Sequence, residues 1–159
     1  MTNETFSIRS AEARDLLALM DVARDTGLFS ADELNGFTEM TKAHFAQPSE
    51  DHHWLAAEAE AIIGAAYVSP EEMADGVWNL WFIGVRAAQK AKGVGSALLA
   101  EAERRARQAG ARLMLIETAS GDDFEATRGF YTQRGYAQEA TIRGYYGDGV
   151  DKVIFRRAL

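Results

Sequence analysis

The sequence predicts an α+β fold, a mixed and mostly antiparallel central sheet with helices on both faces. Three observations carry that prediction. Residues 54–85 read as three successive strands separated by short turns, the pattern of an antiparallel meander. The third, Val77-Trp78-Asn79-Leu80-Trp81-Phe82-Ile83-Gly84-Val85, is apolar at nearly every position, so it belongs in the middle of the sheet with both faces covered. A helical stripe and a further apolar run follow it, and strand-helix-strand order implies a right-handed crossover between parallel strands.

The 159 residues form one expected domain, 1–159, because the length suits a single core and no repeat, low-complexity tract or linker divides it. No apolar run approaches the roughly 18 residues of a membrane span. Met1-Thr2-Asn3-Glu4 lacks the basic start of a secretory leader, so the expected location is cytoplasmic, with no membrane partner. Cysteine is absent, which excludes thiolate nucleophiles, disulfides and Cys-ligated zinc. A net charge of −7 argues against nucleic acid as partner and suits a cationic small substrate.

The elements follow in order. A short strand near Phe6 to Arg9 precedes a helix from Ala13 to Ala23, with Leu16, Leu17, Leu19, Met20 and Ala23 at helical spacing. Ser30-Ala31-Asp32-Glu33 reads as a capping box opening a second helix with Leu34, Phe37 and Met40 on its apolar side. The meander comprises Trp54 to Glu58, Ile62 to Val68 and Val77 to Val85, with Pro48 and Pro70 taken as loop residues. In the next helix Val94, Leu98, Ala102, Ala106 and Ala109 make an apolar stripe, while Glu101 with Arg105 and Glu103 with Arg107 are expected on the wet side. Gly110 ends it as a left-handed cap. Leu113 to Ile116 is a strand, Asp123 to about Gln133 a helix, Tyr136 to Ile142 a strand, and Asp148-Gly149 turns into a last strand, Lys152 to Arg157.

Chemistry concentrates where the central strand meets its helix. Lys90-Ala91-Lys92-Gly93-Val94-Gly95-Ser96 puts two glycines at a helix start, where backbone N–H groups have no helical partner and an anion can come close. The bland alternative is a tight strand-to-helix turn. A Walker loop needs Lys then Ser or Thr after its last glycine, but Ser96-Ala97 follows Gly95; a Rossmann turn needs a small residue where Leu98 stands. A nucleotide kinase is therefore the third choice.

Ile83-Gly84-Val85 followed by Gly93-Val94-Gly95-Ser96-Ala97-Leu98-Leu99 resembles the central strand and acyl-CoA loop of the GCN5-related N-acetyltransferase (GNAT) family. That loop pattern is Gln/Arg-x-x-Gly-x-Gly/Ala; Lys90 departs at its first position, and Gly93 and Gly95 match. Phe130-Tyr131 and Gly135-Tyr136 are similar to a second family motif, while Phe124 stands where the family often has an asparagine touching the cofactor.

The resemblance spans essentially the whole chain and implies acetyl-CoA as co-substrate. It would be held by the backbone of Ile83, Gly84 and Val85 and by Lys90, Ala91, Lys92, Gly93, Val94, Gly95 and Ser96. It implies an N-acetyltransferase acting directly on a primary amine of a small molecule or peptide, and it admits a homodimer. The same fold used as a non-catalytic acyl-CoA-binding regulatory module is the alternative. Tyr131 is then the candidate acid for the departing thiolate, with packing as its other role, and the Val85 N–H a candidate oxyanion donor. Glu117, at the end of an apolar strand, is the candidate base, with a solvated strand-end carboxylate as the alternative. Asp122, Asp123 and Glu125 favour the next helix start. His44, His52 and His53 lack metal-ligand spacing, so no metal is assigned. Phe29, Phe37, Tyr145 and Tyr146 are candidates to line the acceptor pocket, with core packing or a subunit interface as the alternative, whereas Trp78 and Trp81 cannot both face it.

Overall fold

A computed structural model describes residues 5–159; the leader reading of residues 1–4 lies outside the described residues. In chain order the elements are β1 (Ser7–Ser10), α1 (Leu16–Asp25), α2 (Ala31–Ala46), β2 (His53–Glu58), β3 (Ile62–Pro70), β4 (Val77–Val85), α3 (Val94–Gln108), β5 (Leu113–Ala119), α4 (Glu125–Gln133), β6 (Ala137–Gly147) and β7 (Val150–Ala158). Single 3-10 turns precede α1, α3 and α4. The seven strands form one sheet ordered β1-β2-β3-β4-β5-β7-β6. Every neighbouring pair is antiparallel except β4 with β5, which is parallel across the α3 crossover. The predicted mixed sheet is therefore the observed one.

Two apolar layers sandwich it. On one face Val94, Leu98, Ala102 and Ala106 of α3 pack with Tyr131 of α4 against Leu55, Val68, Leu80, Met114 and Phe155. On the other, Leu19, Met20, Val22 and Ala23 of α1 pack on Trp54, Ile62, Tyr67 and Phe82, and Phe29, Leu34 and Phe37 close that layer from α2 and the segment before it. The α2 start is the capping box read from the sequence: Glu33 N–H donates to Ser30 Oγ at 3.2 Å, and Ser30 N–H donates to Glu33 Oε2 at 2.7 Å. Gly110, at φ +87°, ends α3 in the left-handed region, as expected.

Three readings change. Pro70 is not in a loop: it is the last residue of β3 and sits opposite Trp78, a strand-end position where its missing N–H costs no ladder bond. The helix placed at Asp123 begins as a 3-10 turn at Asp122–Phe124 and becomes α-helical at Glu125. Glu103 is not on the wet side of α3. It is 5% exposed and accepts hydrogen bonds from Tyr136 Oη at 2.8 Å and Arg157 Nη1 at 3.1 Å, with Arg107 at 3.5 Å. Burial, followed by the neighbouring Glu103 carboxylate, pushes the Tyr136 phenol above its usual range. The network ties α3 to β7 and to the start of β6.

Removing Glu103 strands a buried phenol and a half-buried guanidinium. Glu103→Ala should cost about 2 kcal/mol. In a chain of this size that lowers Tm by roughly 4–8 °C, read by thermal melting.

Candidate active site

The site begins with an irregularity in β4. Tyr67 of β3 pairs with Phe82 but Val68 pairs with Leu80, so Trp81 is an extra, unpaired residue, a β-bulge. The parallel pairing of β4 with β5 runs from Val77↔Leu113 to Leu80↔Ile116 and stops at that same level. Beyond it Trp81 to Val85 and Glu117 to Ala119 continue as strands without pairing each other, and the sheet opens into a cleft. The bulge also resets the alternation: Trp78 and Leu80 lie in the α3 layer, Phe82 in the α1 layer, and Ile83 and Val85 again pack towards α3.

A cavity of about 440 Å3 occupies this opening, lined by Leu80, Trp81, Phe82 and Ile83 of β4 and by Glu117, Thr118 and Ala119 of β5. Thr26, Leu28, Phe29 and Glu33 approach from the helix side, with Phe124, Thr127, Tyr131, Tyr146 and Val150 opposite. Tyr131 is 3% exposed; its ring packs near Phe130, Tyr136 and Phe155, and burial alone drives its phenol well above the ordinary tyrosine range. Glu117 is partly buried and paired with Lys152 at 2.9 Å.

Of the aromatic pocket candidates, Phe29 and Tyr146 line the cavity. Phe37 stacks on Phe29 at 5.3 Å, 13° from parallel, and packs behind it against Phe82 and Trp54. Tyr145 is turned to Lys152, whose ammonium lies 4.1 Å from its ring centre. Trp78 is buried beneath α3 and only Trp81 lines the cavity. Tyr146 arrives there through a second irregularity. Ile142 pairs with Lys152 and Gly147 with Val150, so residues 143–146 arch out of β6 opposite Asp151, whose carboxylate accepts the Gly144 N–H at 2.9 Å.

The glycine corner lies at the same end of β4. Gly93, at φ +84°, precedes the first turn of α3, and Ala97 donates the first helical bond, to the Gly93 carbonyl at 3.0 Å. The amides of Gly93, Val94, Gly95 and Ser96 thus precede the helical ladder, and unlike α2 no side chain caps them. A Cβ on Gly95 would stand 3.4 Å from the Phe130 ring and 3.7 Å from Val85. Lys90, Ala91 and Lys92 are exposed beside it, Lys92 donating to Gln89 at 3.2 Å.

Two parts of this arrangement escaped the sequence reading. Arg134 donates to Ser96 Oγ and lies 3.6 Å over the Phe130 ring, fixing α4 against the α3 start. Glu33 and Thr26 enter from the α1–α2 side; only their sequence proximity to Phe29 hinted at it.

The model for the Acetyltransferase (GNAT) family matches residues 16–136. The chain belongs to the GNAT family. Its fold is similar to that of a GNAT-family protein from Desulfovibrio desulfuricans, with TM-score 0.91 at 29% identity over 97% of this chain and 99% of that one. It is similar also to the PaiA N-acetyltransferase of Thermoplasma acidophilum in complex with coenzyme A (TM-score 0.78, 21% identity, 98% and 99% covered). An acetyltransferase from Salmonella typhimurium with acetyl-CoA superposes at TM-score 0.75 and 20% identity, covering 98% and 94%. No curated protein matches the sequence.

Within this GNAT fold Gly84 holds the cleft's floor. A Cβ there would fall 2.7 Å from Phe82 Cζ and 3.0 Å from Thr26 Cγ2, and Phe82 is itself locked among Phe29, Phe37 and Trp54. Gly84→Val should therefore cost about 1–3 kcal/mol through overpacking, read as a shifted urea midpoint at unchanged slope.

Proposed function

We propose that the chain is an acetyl-CoA-dependent N-acetyltransferase that passes an acetyl group directly to a primary amine of a small molecule or peptide. The observation that carries this is a juxtaposition: the parted strands β4 and β5 and the buried Tyr131 phenol wall one cleft, and the uncapped amides of α3 begin at the same end of β4, where Gly95 lies against Val85 and Phe130.

The residues present fit the co-substrate at both ends. A pyrophosphate finds the Gly93 to Ser96 amides and the positive end of the α3 dipole, with Lys90 and Lys92 adding charge at the exposed rim. A Cβ on Gly93 would meet nothing within 4 Å, so the corner is open to a ligand. An amide-bearing arm finds unpaired strand backbone. Arg86 donates to the Ile63 carbonyl of β3 at 2.9 Å, and amides alternate sides along a strand, so Ile83 and Val85 turn theirs to the side that β5 has left. Phe124, in the asparagine position, offers an apolar wall in place of a side-chain hydrogen bond.

Bound there, acetyl-CoA supplies an activated thioester carbonyl. The chain's own groups do the rest. The Val85 N–H donates to the oxygen on which negative charge develops as the C–N bond forms. Glu117, at the cleft wall, accepts the proton that the attacking amine loses, directly or through water, and Lys152 holds it in place. Tyr131 gives its proton to the sulfur as the C–S bond breaks. Because burial raises its pKa, Tyr131 keeps that proton through the alkaline range in which an ordinary tyrosine, near 10, would lose it.

The test is release of free CoA thiol from acetyl-CoA in the presence of amines. Acetyl-CoA binding with no release from any amine would instead assign the chain as a regulatory module. Tyr131→Phe should lower kcat on the order of 100-fold while the Kd for acetyl-CoA stays within a factor of two or three; an unchanged kcat removes the acid role. Gly95→Glu places a carboxylate among the α3 amides and should weaken acetyl-CoA binding by 10-fold or more, about 1.4 kcal/mol, measured by calorimetry.

A further inference from the structure

We infer that the acceptor is a primary amine with an uncharged aryl or alkyl body and no carboxylate beside the amine, the chemistry of an arylalkylamine rather than of an amino acid or a diamine. This rests on the reading that the cleft seats the acceptor beside the donor. Three features of the cavity wall lead to it.

The first is the sign of its charges. The ionisable carboxylates in the lining are Glu33 and Glu117, and neither Lys nor Arg is among the lining residues. Lys152, the cation nearest Glu117, is engaged by it at 2.9 Å and by the Tyr145 ring, which leaves no ammonium for a ligand. Glu33, exposed in the first turn of α2, accepts the Ser30 N–H through Oε2 and has no Lys or Arg partner among the described residues, so the lining carries one carboxylate that no side-chain cation pairs. An ammonium ion is drawn to such a wall. A carboxylate brought into it meets like charge and no donor cation, which disfavours its binding.

The second is the apolar surface left wet. Trp81 is 46% exposed and Tyr146 is 50% exposed, although both stand in the cavity wall. The Trp81 indole N–H is already satisfied by Ser69 Oγ at 2.8 Å, so what it offers the cavity is its aromatic face. With Leu28, Phe29 and Phe124 these faces make a slot that an apolar body covers. An amine between Trp81 and Tyr146 also gains cation–π attraction before it loses its proton.

The third is volume. The cavity is about 440 Å3, and on that reading it holds both the thioester end of the donor and the acceptor. What remains suits a small molecule.

The test compares phenethylamine, phenylalaninamide, phenylalanine and 1,4-diaminobutane with the intact protein, by two independent measurements. One is acetyl-CoA thiol release. The other is quenching of tryptophan emission on amine binding in the presence of CoA, with Trp81→Phe identifying the Trp81 component. The expected order is phenethylamine above phenylalaninamide above phenylalanine, with kcat/KM or affinity for phenethylamine about 100-fold above that for phenylalanine. Glu33→Gln, which keeps an acceptor for the Ser30 amide, should raise KM for phenethylamine several-fold with little change in kcat. Phenylalanine equal to its amide, or the diamine above phenethylamine, overturns the inference while acetyl transfer stands. Ordered binding without thiol release from any of the four supports the inference while the transfer reading falls.

Discussion

One unpaired residue governs the rest of this molecule. Trp81 interrupts the β3–β4 ladder at the level where β4 and β5 stop pairing, and strands that are parallel neighbours at Leu80 and Ile116 diverge beyond it. A continuous ladder would fill the cleft with hydrogen bonds. With the bulge present, β4 keeps one edge on β3 and leaves the other open, while the reset alternation returns Ile83 and Val85 to the α3 layer and turns the Trp81 side chain into the cavity. Opening the sheet and aiming the walls are thus one geometric event.

The surrounding structure keeps this opening from collapsing. On the helix side, Phe29, Phe37, Phe82 and Trp54 form an aromatic block whose ring centres lie 5.1–6.0 Å apart, stiffened by the α2 capping box beside it. Across the sheet, Arg134 joins α4 to Ser96 at the head of α3, and Glu103 joins α3 to β7. The β6 arch is held from behind by Asp151, so Tyr146 reaches the cleft without a helix to support it.

Much of the fold was legible because its signals are local and periodic. The apolar run Val77 to Val85 marks a central strand wherever it is met, and Ser30 with Glu33 forms the predicted cap because both halves of the box lie within one turn. The bulge was not legible: Trp81 is one more large apolar residue in an apolar run, and only the register of β3 shows it to be supernumerary. Glu103 misled for a related reason. Its spacing to Arg107 marks a surface pair, yet its other partners, Tyr136 and Arg157, lie far along the chain. In the site, the glycine corner and Tyr131 sit in contiguous motifs and Tyr146 was among the expected pocket aromatics, whereas Glu33 and the arch that turns Tyr146 inward come only from tertiary placement.

The head of α3 has a consequence for how such a chain changes over generations. Its free donors are main-chain amides, which every residue but proline possesses, so the proposed anion seat there depends on the backbone path, which Gly93 at φ +84° helps to set, more than on particular side chains. The opposite end of the cleft is written in side chains, Glu33, Phe29, Trp81 and Tyr146, each of which one codon change can resize or recharge. On the proposed reading, mutational drift therefore falls unequally on the two halves: the acyl donor is inherited with the fold, and the amine is open to renegotiation.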